Sequence, residues 1–192
     1  MGFWDSLLGR STPPPADLNA LFAVPQAALS LQAQGFLPTG QGAVCYRTAE
    51  GGAFASTEAQ IEQLIATSGS TVQRIDDSYG FRWLSVRQSA ADQGGSDVPG
   101  LVTDLHAANT SLADAGFDQA LLCSTIGFTS PDGRPLALVY LFKRGSFYPF
   151  APAEGQNRDN ALELQVRGIV DEDIVIEADL SRWLAIWGAP GV

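Results

Sequence analysis

Between residues 120 and 152 apolar positions crowd into two runs around one turn. The first run is Ala120 to Phe128. The second is Pro135 to Phe142, extended through Phe147, Tyr148 and Phe150. Between them lies Ser130-Pro131-Asp132-Gly133. Proline presets φ, Asp bonds its own backbone and Gly takes positive φ, so this spacing predicts a β-hairpin. The runs are nearly continuous rather than alternating, which predicts strands covered on both faces.

The remaining pattern supplies the cover. Leu18, Leu21 and Phe22 predict a short helix at 17–22 that stops before Pro25, followed by an irregular stretch. A strand is expected at 42–48 around Val44 and Tyr46. A helix follows at 57–67, with Thr57 and Gln60 at capping-box spacing and Ile61, Leu64 and Ile65 as its stripe. A second hairpin is expected at 71–77 and 80–88, with Phe81, Trp83 and Val86 inward and Arg82 and Arg87 outward. After a loop at 90–97, apolar residues recur at three and four from Val98 to Ala115, the clearest helix in the chain. Asn157 or Asp159 caps a helix at 160–170, with a Glu163–Arg167 pair on its outer side. A short strand at 171–177 precedes a final helix through Leu180, Trp183, Leu184 and Trp187. The expected fold class is α+β: an antiparallel sheet of hairpins with helices mainly on one face, in the order α-β-β-α-β-β-α. Residues 16–192 are expected to form one domain.

Residues 1–10, MGFWDSLLGR, place Phe3, Trp4, Leu7 and Leu8 on one helical face. The segment is too short to be a stable free helix. Docking on a membrane interface or partner, and packing on its own domain, both stay open. Pro13-Pro14-Pro15 forms a stiff spacer behind it.

Composition narrows the function classes. The net charge of −10 over 192 residues argues against nucleic acid, whose phosphates require clustered Lys and Arg. Ten of the eleven basic residues are arginine, Lys143 being the exception, which with abundant Ala and Gly fits a GC-rich bacterial genome. No run approaches the length of a membrane span. The N-terminus lacks a basic region and a long apolar core, so a cytoplasmic protein is expected. Cys45 and Cys123, both in predicted strands, read as buried thiols in a reducing compartment. A disulfide between them stays open.

Candidate chemistry is sparse. His106 is the only histidine. Asp104 points away from it on the same helix, so no nucleophile–base–carboxylate set is expected, and a partly exposed histidine fits better. No zinc-ligand spacing, phosphate-binding glycine loop or G-x-S-x-G motif occurs, so no metal, cofactor or catalytic residue is assigned. Asp171, Glu172 and Asp173 read as a solvated charge run. In the aromatic stretch 144–152, Phe147 and Phe150 are expected to seal the core. Tyr148 remains a candidate for partner contact.

Two resemblances add to this. The element order over about residues 55–170 resembles type III secretion chaperones and related bacterial sensory-transduction regulators, small and often dimeric sheets that present a surface to extended peptides. The whole chain resembles the PspA-associated PspAB family, a bacterial family linked to the phage-shock envelope-stress response. The residues carrying this likeness are MGFWDSLLGR, Gly42 to Arg47, Leu101 to Asn109, Leu138 to Pro152, Arg158 to Leu164 and Leu180 to Trp183. The resemblance implies an accessory protein working with a PspA-like protein or a membrane-associated protease. It carries no catalytic residues. The expected function is a non-enzymatic interaction module, with Phe3, Trp4, Leu7, Leu8 and Tyr148 as contact residues, peripheral membrane contact through residues 3–8, and a homodimer open. The alternative is a small-molecule sensor or enzyme with a pocket beneath the 120–150 hairpin, favoured if His106 and a cysteine share that pocket.

Overall fold

A computed structural model describes residues 17–89 and 96–192. The amphipathic segment, with Phe3, Trp4, Leu7 and Leu8, and most of the 90–97 loop lie outside the described residues. A 3-10 turn at Leu18–Ala23 runs directly into α1 (Val24–Ala33). The helix therefore does not stop before Pro25. That proline falls in the first turn, where its missing N–H costs no hydrogen bond. β1 (Leu37–Arg47) is longer than expected, and α2 (Gly52–Thr67) begins five residues before the expected cap. Thr57 is thus inside the helix, its hydroxyl donating to the Ala53 carbonyl at 3.0 Å.

β2 (Ser70–Asp76) and β3 (Phe81–Gln88) form the expected hairpin, and α3 (Val98–Leu112) carries the predicted stripe. The central hairpin is β4 (Leu121–Thr129) and β5 (Pro135–Leu141), joined by the predicted turn, in which Gly133 has φ 88°. The aromatic cluster does not extend β5. It turns back as a separate strand, β6 (Ser146–Phe150). A two-stranded ribbon, β7 (Pro152–Ala153) with β8 (Asn157–Arg158), leads to α4 (Asn160–Val170). Asp159 caps α4, accepting from the Leu162 N–H at 3.0 Å.

The main sheet is antiparallel throughout, in the order β2-β3-β1-β4-β5-β6. This is an α+β architecture with the helices on one face. Side chains alternate across it. Val44, Leu84, Val86, Ile126, Leu138 and Tyr140 meet the helices in the larger core. Their neighbours Ala43, Cys45, Trp83, Cys123, Val139 and Tyr148 face the other way, into a second, smaller core. Gly42 lets α3 lie close: a Cβ there would meet the Thr125 carbonyl at 2.6 Å and Leu105 Cδ1 at 3.0 Å.

Two expectations about arginine are corrected. Arg82 points to the helix side, not to solvent, where it pairs with buried Glu58 at 3.1 Å. Glu163 is buried and pairs with Arg158 at 2.9 Å rather than with Arg167 on the outer side of α4. Both carboxylates are taken from water, so each needs a cation and hydrogen bonds nearby.

The C-terminal region departs furthest from expectation. In place of a strand at 171–177 there is one bridge, between Phe147 and Ile176. In place of a helix through Trp187 there is a single 3-10 turn, Leu180–Arg182. The segment then runs irregularly over the helix-free face of the sheet, where Trp183 and Ala189 join the second core. Gly127 makes room for it, since a Cβ there would meet the Gly191 carbonyl at 2.7 Å.

Candidate functional site

Register builds one row across the helix-free face. Trp83 on β3 pairs with Cys45 on β1, Cys45 with Cys123 on β4, and Cys123 with Leu141 on β5. This row floors a cleft of about 560 Å³. Its far wall is the C-terminal segment, through Leu184, Ile186 and Trp187. Such a volume is typical of a site that encloses a small ligand or a few apolar side chains.

Aromatic contacts fix that wall. Trp183 stacks on Tyr148 with ring centroids 6.0 Å apart, and its indole N–H donates to the Glu177 carbonyl at 2.9 Å. The Tyr148 hydroxyl donates to the Leu184 carbonyl at 2.9 Å. Trp187 meets Phe150 edge-on at 5.1 Å. Arg158 donates to the Trp183 carbonyl while its guanidinium lies over the Phe150 ring. Tyr148, the contact candidate from the sequence, therefore lines the cleft and holds its wall. Burial pushes its phenol well up. Phe147 and Phe150 are core residues, as expected.

The mouth of the cleft is cationic in an acidic protein. Arg47 lies over the Phe81 ring at 6.0 Å, and Lys143 donates to the Gln119 carbonyl at 3.1 Å. Neither has a carboxylate partner among the described residues, whereas Arg74, Arg82, Arg134, Arg144, Arg158 and Arg182 all do. Asp77, also at the mouth, is occupied in the β2–β3 turn. It accepts from the Tyr79 and Phe81 N–H groups and from the Trp83 indole at 3.0 Å. Burial works to raise its pKa, but these donors outweigh it and hold the carboxyl below its ordinary value.

Cys45 and Cys123 are both free thiols and both buried. Contact with Cys123, then burial, pushes the Cys45 thiol far up. His106 does not join them. It sits on α3 against Phe22, ring centroids 4.6 Å apart, with the sheet between it and the cleft. Asp104 turns away from it to accept from Ser68 and Ser70. The pocket expected beneath the 120–150 hairpin is present with two cysteines and without the histidine. Asp173 accepts from Ser30 at 2.6 Å, and among the described residues no three His, Cys, Asp or Glu side chains converge as a metal site.

The cationic mouth was missed in the sequence. Its signal was weak: the chain's only lysine, and an arginine closing β1. The opposition of the two cysteines had no local signal, because it depends on β1 lying beside β4.

No described helix is long and apolar enough to cross a membrane. No curated protein and no solved structure matches the chain, so the likeness to secretion chaperones rests on element order alone. A family model does match, over residues 1–191, with the description PspA associated protein B. The chain belongs to that family, PspAB.

Proposed function

We propose that the chain is a non-enzymatic, cytoplasmic interaction module that associates with a PspA-like protein by receiving apolar side chains of that partner in the cleft. The observation that carries this is the open apolar cleft with two cations at its mouth, Arg47 and Lys143, that have no carboxylate partner among the described residues. It suits an amphipathic segment whose apolar residues are flanked by carboxylates. The family's description supplies the kind of partner. The geometry also favours binding over chemistry. Among the described residues the cleft brings its thiols no general base, and the one carboxylate lining it, Asp77, is consumed by a turn. In this reading Phe3, Trp4, Leu7 and Leu8 hold the module peripherally at the membrane, and a membrane-associated protease is the other candidate partner.

One observation favours a second reading, a small-molecule sensor. The cleft has the volume of a ligand site and two thiols in its floor. A purified PspA-like protein titrated calorimetrically into the full chain separates the two. Binding to the full chain is expected, and Leu141→Arg, which fills the cleft with a charge, should weaken it at least about tenfold, the range of a central interface residue. A chain lacking residues 1–15 should keep this affinity in solution and lose only vesicle attachment. Unchanged affinity in Leu141→Arg overturns the cleft as the partner site.

A further inference from the structure

We infer that Cys45 and Cys123 form a thiol–disulfide pair in the cleft floor, closed by a low-molecular-weight anionic disulfide that enters between Arg47 and Lys143. The two residues are direct partners on adjacent antiparallel strands. Opposed residues in such strands have Cα atoms about 4.5–5.5 Å apart, inside the roughly 4.4–6.8 Å that a disulfide spans, so closure needs no strand movement. The two are neighbours in the row, and both border the same open space. Burial from the helix side does not block them, because their side chains point away from it.

The exchange has a defined order. Cys123 is the more exposed, at 8% against 3% for Cys45. Cys123 therefore gives up its proton and attacks one sulfur of the small disulfide, expelling one small thiolate, which takes that proton. Cys45 then attacks Cys123 Sγ in the mixed disulfide. This expels the second thiolate, to which Cys45 yields its proton. Two protein thiols and one small disulfide become one protein disulfide and two small thiols, and the two electrons pass to the small molecule. Arg47 and Lys143 select an anionic reagent by charge. The chemistry stands without the partner reading. Its consequence, an altered cleft floor and altered partner affinity, rests on that reading.

The test exposes the full chain to oxidised glutathione and follows intact mass and free thiols after denaturation. The expected product has lost two hydrogens and both thiols and carries no glutathione. Trp83, which adjoins Cys45 in the row, should lose fluorescence as the disulfide forms. Cys45→Ser should stop at a stable glutathione adduct on Cys123. The double variant Arg47→Ala, Lys143→Ala should react about tenfold more slowly with oxidised glutathione and no more slowly with cationic cystamine. Two titratable thiols after treatment, or a persistent adduct on the unmutated chain, would overturn the pair. Equal rates for the double variant and the unmutated chain with oxidised glutathione would overturn the role of the mouth. None of these readouts involves a partner protein, so failure here is distinct from failure of the association.

Discussion

The two faces of the sheet are covered in different ways. One face carries α1, α2, α3 and α4, which bury a continuous apolar layer from Leu21 to Ile174. The other carries a C-terminal segment with a single turn of helix, held by Trp183, Trp187 and a few hydrogen bonds. A helix satisfies its own backbone and buries a whole stripe, so a helical layer closes a face completely. An irregular segment anchored at a few aromatic side chains covers only part of a face. The gap it leaves is the cleft. The helix-covered face therefore sets global stability, and the other face is where a partner or reagent finds room.

The largest effect should come from the closed face. Leu105→Ala removes a fully buried side chain from the centre of α3. It should cost about 3 kcal/mol in denaturant unfolding, as large-to-small core changes do. Partner affinity should change little if the faces are independent. Trp183→Ala removes a larger side chain from the open face. It should nevertheless cost less, about 2 kcal/mol, below the roughly 3–5 kcal/mol usual for buried aromatics, because the irregular segment it anchors can detach locally while the helix-covered core stays intact. It should also speed the reaction of Cys123 with a thiol reagent, a readout that Leu105→Ala should leave unmoved. The reverse order of costs would show that the C-terminal segment carries the global core.

Alkaline pH should give the smallest effect. The ordinary thiol value is 9.0 for Cys45 and the ordinary phenol value is 10.0 for Tyr148, and both are raised in the folded chain. Below these values folded and unfolded chains both hold the protons. As pH rises through them, the unfolded chain releases protons that the folded chain retains. Stability is thus fully present below 9.0 and declines above it. Denaturant midpoints measured on either side of that value should fall with pH. Cys45→Ala should flatten the first part of the decline. A midpoint that rises with pH would contradict the buried, protonated state of the cleft floor.

The same contrast explains what the sequence disclosed. The β4–β5 hairpin and α3 were legible because their signals are local: continuous apolar runs around Ser130–Gly133, and a three-and-four repeat from Val98. The C-terminal segment misled because Leu180, Trp183, Leu184 and Trp187 have helical spacing. The aromatic partners Tyr148 and Phe150 hold Trp183 and Trp187 against the sheet, and that tertiary packing prevails over the local pattern. In β3, Phe81 and Trp83 face the cleft while Leu84 and Val86 face the helices. With both faces buried, no alternation marks which is which. The thiol row across Cys45 and Cys123 was hidden for a related reason, since strand order is a property of the whole sheet.

The most direct measurement is amide hydrogen exchange on the full chain, alone and in complex with a purified PspA-like protein. If the cleft is the partner site, binding slows exchange along the C-terminal segment through Leu184 to Trp187 and in the β2–β3 turn around Tyr79. The amides of α1, α3 and α4 stay unchanged. Protection confined to those helices, with none along the C-terminal segment, would place the partner on the closed face and contradict the account.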